Sequence, residues 1–287
     1  MAYLALIGSF ILWGISPIYW KLLTNIDNLE LGAYRILISA IALFIFIKPS
    51  SYGDIYQQFL NYKKPILISC LCMFTNIFLF VYAVNTGKIL QASFGYFLSP
   101  LLSIALGGIV LKEEISKVKL IAIVITLISL VIRLTDFDTF PWISLLIGGA
   151  FSLYGLLKKF IHIETKQMTF LEMTLISIPS LFILIYLSST NEQGLMALAT
   201  KQDYIILLFA WIPTVFPFLL FNLGTKSIPL NIVGFFQYLS PSIQFLVGLL
   251  IYKEQIVSTQ WISFLLIWCA CGMVAMNNFK RGTNARK

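Results

Sequence analysis

Apolar residues run along this chain in ten long blocks separated by short polar or basic joints. The blocks span residues 2–23, 31–47, 65–84, 90–111, 118–134, 140–157, 169–187, 204–221, 229–252 and 259–276. Each is close to the roughly 17–25 residues that a helix needs to cross a bilayer. The pattern predicts an all-α polytopic membrane protein with ten transmembrane helices. Only the joints at 48–64 and 188–203 are long enough to hold a little structure of their own.

One stretch is echoed 141 positions later. Residues 94–115 read FGYFLSPLLSIALGGIVLKEEI, and residues 235–256 read FFQYLSPSIQFLVGLLIYKEQI. They share Phe94/Phe235, Leu98/Leu239, Ser99/Ser240, Pro100/Pro241, Gly107/Gly248, Lys112/Lys253, Glu113/Glu254 and Ile115/Ile256, 8 identities in 22. A weaker match at the same offset pairs Trp13-Gly14 with Tyr154-Gly155. The chain therefore divides into two copies of one unit, residues 1–136 and 137–287, with five blocks each. Five is odd, so the copies are expected in opposite orientations, the arrangement of alternating-access carriers.

Composition supports a lipid setting. The chain is 59% hydrophobic and 11% charged, against roughly 25% charged in soluble domains. The net charge of +8 comes with no basic–aromatic weave, so nucleic acid is not an expected partner. With the amino terminus in the cytoplasm, the basic residues of the joints divide 14 inside to 5 outside. Cytoplasmic joints are the basic ones, so both termini are expected inside a bacterial inner membrane. The first block has no basic leader or small-residue cleavage site and is read as a retained helix.

Several chemistries find no support. The four cysteines form two C-x-C pairs, Cys70/Cys72 and Cys269/Cys271, inside apolar blocks. Two residues apart on a helix they face different ways and suit no shared metal. His162 lies in a polar joint. No phosphate-cradling glycine loop, H-E-x-x-H or aspartate cluster is present, so neither an ATPase nor a membrane enzyme is expected, and no cofactor. Asp and Glu are missing from the middles of the blocks: Glu172 is read at a block start, and Glu113 and Glu254 at block ends. That favours uniport or exchange over proton antiport.

Polar residues that persist in lipid usually face the bundle interior. The first block carries Trp13 and Pro17 in WGISPIYWK, where the proline frees a carbonyl and bends the helix, while Trp20 and Lys21 fit interfacial anchors. Arg35, after Tyr34, is the one cation placed within a block. Further along come Asn76, Gln91, Tyr96 and Ser99, and then Gln237, Tyr238, Ser240, Pro241 and Gln244. Gln237, Ser240, Pro241, Gln244 and Gly248 fall on one helical stripe. Pro213 and Pro217 mark a second bent block. Gly95, Ser99, Ser103 and Gly107 form a ridge of small residues suited to close helix packing, within one chain in preference to a homodimer seam. The candidate substrate-binding set is Trp13, Pro17, Tyr34, Arg35, Asn76, Gln91, Tyr96, Ser99, Gln237, Tyr238, Ser240 and Gln244. A small-molecule carrier is the leading reading. A non-transporting scaffold or receptor is its rival, disfavoured by prolines and polar stripes at matching places in both copies.

The runs WGISPIYWKLL, AYR, TNIFLFVYAVNTG, QASFGYFLSPLLS and GFFQYLSPSIQFLVG occur in that order. Together they resemble the RarD group, in the EamA branch of the drug/metabolite transporter superfamily. The resemblance covers nearly the whole chain and implies a duplicated ten-helix bundle with a central cavity. The sequence departs from the group's pattern at Tyr34, where histidine is usual, at Gln91, where glutamate is usual, and at Ser99, where asparagine is usual. The first two changes remove titratable groups.

Overall fold

The computed structural model describes residues 1–48, 51–86, 88–135, 140–190, 195–253 and 257–284. Among them every regular element is helical. The first half holds α1 (Ala2–Trp20), α2 (Asn28–Phe46), α3 (Tyr52–Asn61), α4 (Lys63–Asn85), α5 (Ile89–Ile109) and α6 (Lys117–Leu134). The second holds α7 (Trp142–Leu157), α8 (Thr165–Thr190), α9 (Lys201–Leu208), α10 (Trp211–Ser227), α11 (Leu230–Gln237), α12 (Leu239–Leu250) and α13 (Ser258–Asn284). The division at 136/137 and the echoed Glu254, Gln255 and Ile256 lie outside the described residues.

Local chemistry sets several helix ends. Asp27 accepts from Leu29 N at 2.7 Å and starts α2. Ser116 does the same for α6 through Lys119 N, and Thr200 with Asp203 forms a reciprocal cap on α9. Among the described residues, eight stretches are long and apolar enough to cross a membrane, counting α9–α10 and α11–α12 as one stretch each. The 16-residue apolar α7 is shorter, and α6 carries basic residues at both ends. The chain is a multi-pass membrane protein.

One joint holds the structure that its length allowed, and one block differs from its sequence reading. The joint at 48–64 forms the short amphipathic α3, with Ile55 buried against the bundle. The block at 229–252 is two helices that meet at Tyr238, because Pro241 has no N–H to give the Gln237 carbonyl. Its echo, Pro100, sits inside the unbroken α5. The echo does extend to the backbone elsewhere: Lys112 and Lys253 both adopt left-handed conformations, with φ of 54° and 53°.

The closest helix pairs each join one half of the sequence to the other: α5 with α7 and α11, α1 with α10 and α12, α2 with α8, α4 with α7, and α6 with α13. The halves thus share one interdigitated core. Small residues permit the approach. A Cβ on Gly148 would lie 2.8 Å from the Gly95 carbonyl oxygen, and one on Gly234 2.6 Å from that of Pro100. Between α6 and α13, Ser129 Oγ donates to the Ser263 carbonyl at 3.1 Å, and Ser263 Oγ donates back to the Ser129 carbonyl at 3.2 Å. The ridge Gly95, Ser99, Ser103 and Gly107 packs within the chain, against α7, the α11 region and the loop that follows α5.

Candidate functional site

A cavity of about 360 Å³ lies among α1, α2, α4, α5, α7, α10 and the α11–α12 break. Its lining reaches Trp20 at the end of α1 and the exposed Asn28 at the start of α2, so it opens at that end of the bundle.

Its first wall is built around a proline. Pro17 leaves the Trp13 carbonyl without its helical donor. Ser16 Oγ donates to that oxygen at 2.9 Å, and Gln244 Nε2 of α12 donates at 3.2 Å. Gln244 Nε2 also lies 3.4 Å from Ser240 Oγ. The opposite wall comes from α4 and α5. Asn76 Nδ2 donates to the Ile147 carbonyl at 3.2 Å, and Tyr96 Oη donates to Asn76 Oδ1 at 3.4 Å. Ser103 Oγ donates to Gln237 Oε1 at 3.1 Å, and Ser99 Oγ lies 3.5 Å from the same atom. Gln237 is only 4% exposed, and among the described residues its Nε2 has no hydrogen-bond partner.

Arg35 supplies the charge. Its guanidinium sits 5.0 Å over the Trp20 ring. Among the described residues it forms no ion pair, and its Nε is without a hydrogen-bond partner. Glu30 turns elsewhere, accepting from Met196 N at 2.8 Å. The cavity thus carries a cation and a free amide donor on largely apolar walls. Its floor is aromatic: the Trp13 ring lies 5.1 Å from Phe218, 5.6 Å from Phe151 and 5.8 Å from Phe10, all edge-on or tilted.

Trp13, Pro17, Arg35, Asn76, Tyr96, Ser99, Gln237, Ser240 and Gln244 line this cavity. Tyr34, Gln91 and Tyr238 do not. Tyr34 is a helix neighbour of Arg35 but points to an apolar cluster with Leu23 and Ile26. Gln91 is buried at the start of α5, where its carbonyl accepts from Ser144 Oγ. Tyr238 is 2% exposed at the helix break, faces α13, and donates to the Phe97 carbonyl at 3.2 Å. Sequence reasoning missed Phe10, Phe151, Phe218, Ser16 and Thr214 in the lining. The phenylalanines give no polar signal inside apolar blocks. Ser16 sits within WGISPIYWK and could have been found from the freed carbonyl that it bonds.

The other end of the bundle is closed. Glu113 accepts from Leu230 N at 2.6 Å and Asn231 N at 2.7 Å, holding the start of α11. Lys119 Nζ donates to Asn231 Oδ1 at 2.7 Å. Lys159 donates to the Ile228 carbonyl and Lys226 to that of Ile163. Beneath the aromatic floor lies a carboxylate that sequence reading put at the edge of its block. Glu172 is two turns into α8, fully buried, and paired with the equally buried Lys158. Carboxylates are therefore not confined to the helix ends.

The sequence profile of the EamA-like transporter family matches this chain twice, over residues 1–135 and 140–276. The chain belongs to the EamA-like transporter family. Its relatives in this family include the Bacillus subtilis protein named as transporter YojE, 32% identical over 95% of this chain and 92% of that protein. A Vibrio cholerae transporter is 32% identical over 98% and 94%. The RarD protein of Escherichia coli is 28% identical over 94% and 92%. A solved crystal structure superimposes with a TM-score of 0.72 at 12% identity, covering 96% of this chain and 97% of the other, a likeness of fold. Family membership points to a transporter rather than an enzyme.

Proposed function

We propose that this EamA family member is a secondary transporter of a bacterial inner membrane, carrying a small amphipathic metabolite with an anionic group by alternating access. It works as ten transmembrane helices in two inverted five-helix repeats, 1–136 and 137–287, with both termini cytoplasmic. The observation that carries this reading is the cavity at the meeting of the two halves, where among the described residues Arg35 forms no ion pair and Gln237 Nε2 has no hydrogen-bond partner. A guanidinium fork suits a carboxylate or phosphate. The aromatic floor suits a flat or apolar body, and about 360 Å³ falls in the range of metabolite sites. The matched left-handed turns at Lys112 and Lys253, 141 residues apart, support the repeat.

The test is thermal stabilisation of the purified protein by amino acids, nucleosides, nucleotide-like cofactors and quaternary amines. The expected result is a rise in Tm with an anionic member of the panel, abolished in Arg35→Ala and weakened in Gln237→Ala. A stabilising ligand that is cationic, or whose effect survives Arg35→Ala, would overturn the assignment of the anionic group. A stabilising ligand that proteoliposomes fail to carry would overturn the carrier reading.

A further inference from the structure

The closed end holds a pair of charges that the cavity does not use. Lys158 Nζ donates to Glu172 Oε1 and, at 3.1 Å, to Ser69 Oγ. Ser69 Oγ donates on to the same carboxylate oxygen. Tyr154 Oη lies 3.0 Å from Glu172 Oε2 and 3.2 Å from Asn222 Oδ1. Asn222 Nδ2 donates to Thr169 Oγ1 at 3.1 Å and lies 3.5 Å from Glu172 Oε2. Both carboxylate oxygens are thus engaged, by groups from α4, α7 and its end, and α10.

Such a pair is poorly explained by stability. Removing two ions from water costs more than most pairs return, and an apolar filling of the same volume is often as stable. An ionisable group inside a membrane bundle is instead a functional position in the first instance. This one touches the cavity's floor. The Tyr154 ring stacks on Phe151 at 6.2 Å and meets Phe218 edge-on at 5.9 Å, and both of those rings line the cavity. Any motion that parts the floor also disturbs the hydroxyl that serves Glu172. The surrounding titratable groups are Lys158, Tyr154, Cys70 and Cys72 of α4, and Lys226 of α10, itself bonded to the Ile163 carbonyl. Among the described residues α2 and α3, which also pack on α8, bring no ionic partner to Glu172.

We propose that Glu172 is a proton-binding site that links opening of the closed end to proton uptake. A proton from the water at the α7–α8 end converts the carboxylate to the acid and releases Lys158 from its partner. The freed ammonium draws water, and the closed end opens. When the pair re-forms, the proton returns to water. This rests on the alternating-access reading above, and it departs from the expectation of uniport or exchange that followed from the missing mid-block carboxylates.

The native thiols report the event. Cys70 follows Ser69 in α4, and Cys70 and Cys72 are both buried. The experiment uses the full chain in liposomes with Cys269→Ser and Cys271→Ser. A water-soluble maleimide is applied between about pH 8 and about pH 5. Labelling is expressed relative to denatured protein at the same pH, which corrects for the pH dependence of an ordinary exposed thiol. A second preparation, with Cys70 and Cys72 also replaced by Ser, carries Ser16→Cys in the cavity wall.

As pH falls, Cys70 and Cys72 labelling is expected to rise several-fold while Ser16→Cys labelling falls. Glu172→Gln should give the high thiol labelling at every pH. A flat wild-type response, or an unchanged pH response in Glu172→Gln, would overturn the proton site. If Ser16→Cys still responds to pH in that case, the carrier reading survives. If neither position responds to pH, the proton site falls alone, and uptake of the stabilising ligand by proteoliposomes at fixed pH still decides the carrier reading. Should Glu172→Gln fail to fold, infrared difference spectra of the wild type across the same pH span decide the matter. They must show a new carboxylic acid band slow to exchange in heavy water, and its absence overturns the proposal.

Discussion

Arg35 and Lys158 are both cations of this bundle, and their surroundings differ in almost every respect. Arg35 lies over Trp20 beside a cavity that reaches the surface, with no carboxylate paired to it among the described residues. Lys158 lies at the opposite end under a layer of aromatic rings, bonded to Glu172 and Ser69 and cut off from water. A cation without an ion-pair partner beside an open, largely apolar cavity attracts a ligand anion. A paired cation in a dry site holds parts of the protein together. In one static arrangement the same charge can recruit at one end and close at the other. An alternating carrier needs both.

The largest effect should come from breaking the closed end's pair. Glu172→Ala leaves Lys158 buried without its counter-charge, and losses of that kind run at about 3–5 kcal/mol. Denaturant or thermal unfolding in detergent should show it. The double variant Lys158→Met with Glu172→Leu should recover most of the stability. A double variant as damaged as the single one would mean that the pair is held for packing alone, and the contrast with Arg35 would collapse.

Next is Arg35→Ala. A charge-assisted hydrogen bond contributes about 1.5–3 kcal/mol, so affinity for an anionic ligand should fall by roughly tenfold or more. Stability should change little, because what is lost in the folded protein is mainly a cation–π contact worth about 0.5–1 kcal/mol at a site of this kind. Ligand titrations on wild type, Arg35→Ala and Arg35→Lys separate charge from the planar fork. A large stability loss with unchanged affinity would reverse the roles assigned to the two ends.

How far these ends could be read from sequence depends on what each residue signals. The proline–polar stripe of α12 and the WGISP run of α1 were legible because polar groups and prolines are conspicuous in apolar blocks. Their joining through the Trp13 carbonyl was not, because it depends on how α1 packs on α12. Phe151 and Phe218 are invisible among apolar neighbours. Tyr34 misled because it sits beside Arg35 in sequence, yet consecutive helical residues point about 100° apart. Glu172 follows the polar Lys166-Gln167 and so was read at the start of its block, whereas α8 begins at Thr165 and groups from α4, α7 and its end, and α10 surround its carboxylate. Pro100 and Pro241 stand in the same Leu-Ser-Pro echo, yet only the second interrupts its helix. The motif permits a break; the packing around it decides whether one occurs.

A medium effect is expected at the seam that runs past both ends. Gly148→Ala places a Cβ 2.8 Å from the Gly95 carbonyl oxygen, a backbone atom that moves only if α5 and α7 separate. Overpacking of this kind costs about 1–3 kcal/mol. Gly149→Ala, on the adjoining position where an added Cβ meets nothing within 4 Å, is the control and should leave Tm nearly unchanged.

The smallest effect tests the open end's architecture most closely. Gln244→Leu removes one of two donors to the Trp13 carbonyl and leaves Ser16 in place. The loss should be about 1 kcal/mol, the usual net contribution of a neutral hydrogen bond. If Pro17 is the reason that carbonyl needs help, Pro17→Ala should restore a backbone donor from residue 17 and make Gln244 dispensable. The double-mutant cycle of Pro17→Ala and Gln244→Leu should therefore be non-additive, with the second substitution nearly silent in the first background. Additive losses would show that Gln244 serves the cavity by some other contact. The bend in α1 would then be independent of α12, and the open end would lose the link that joins its two proline-marked walls.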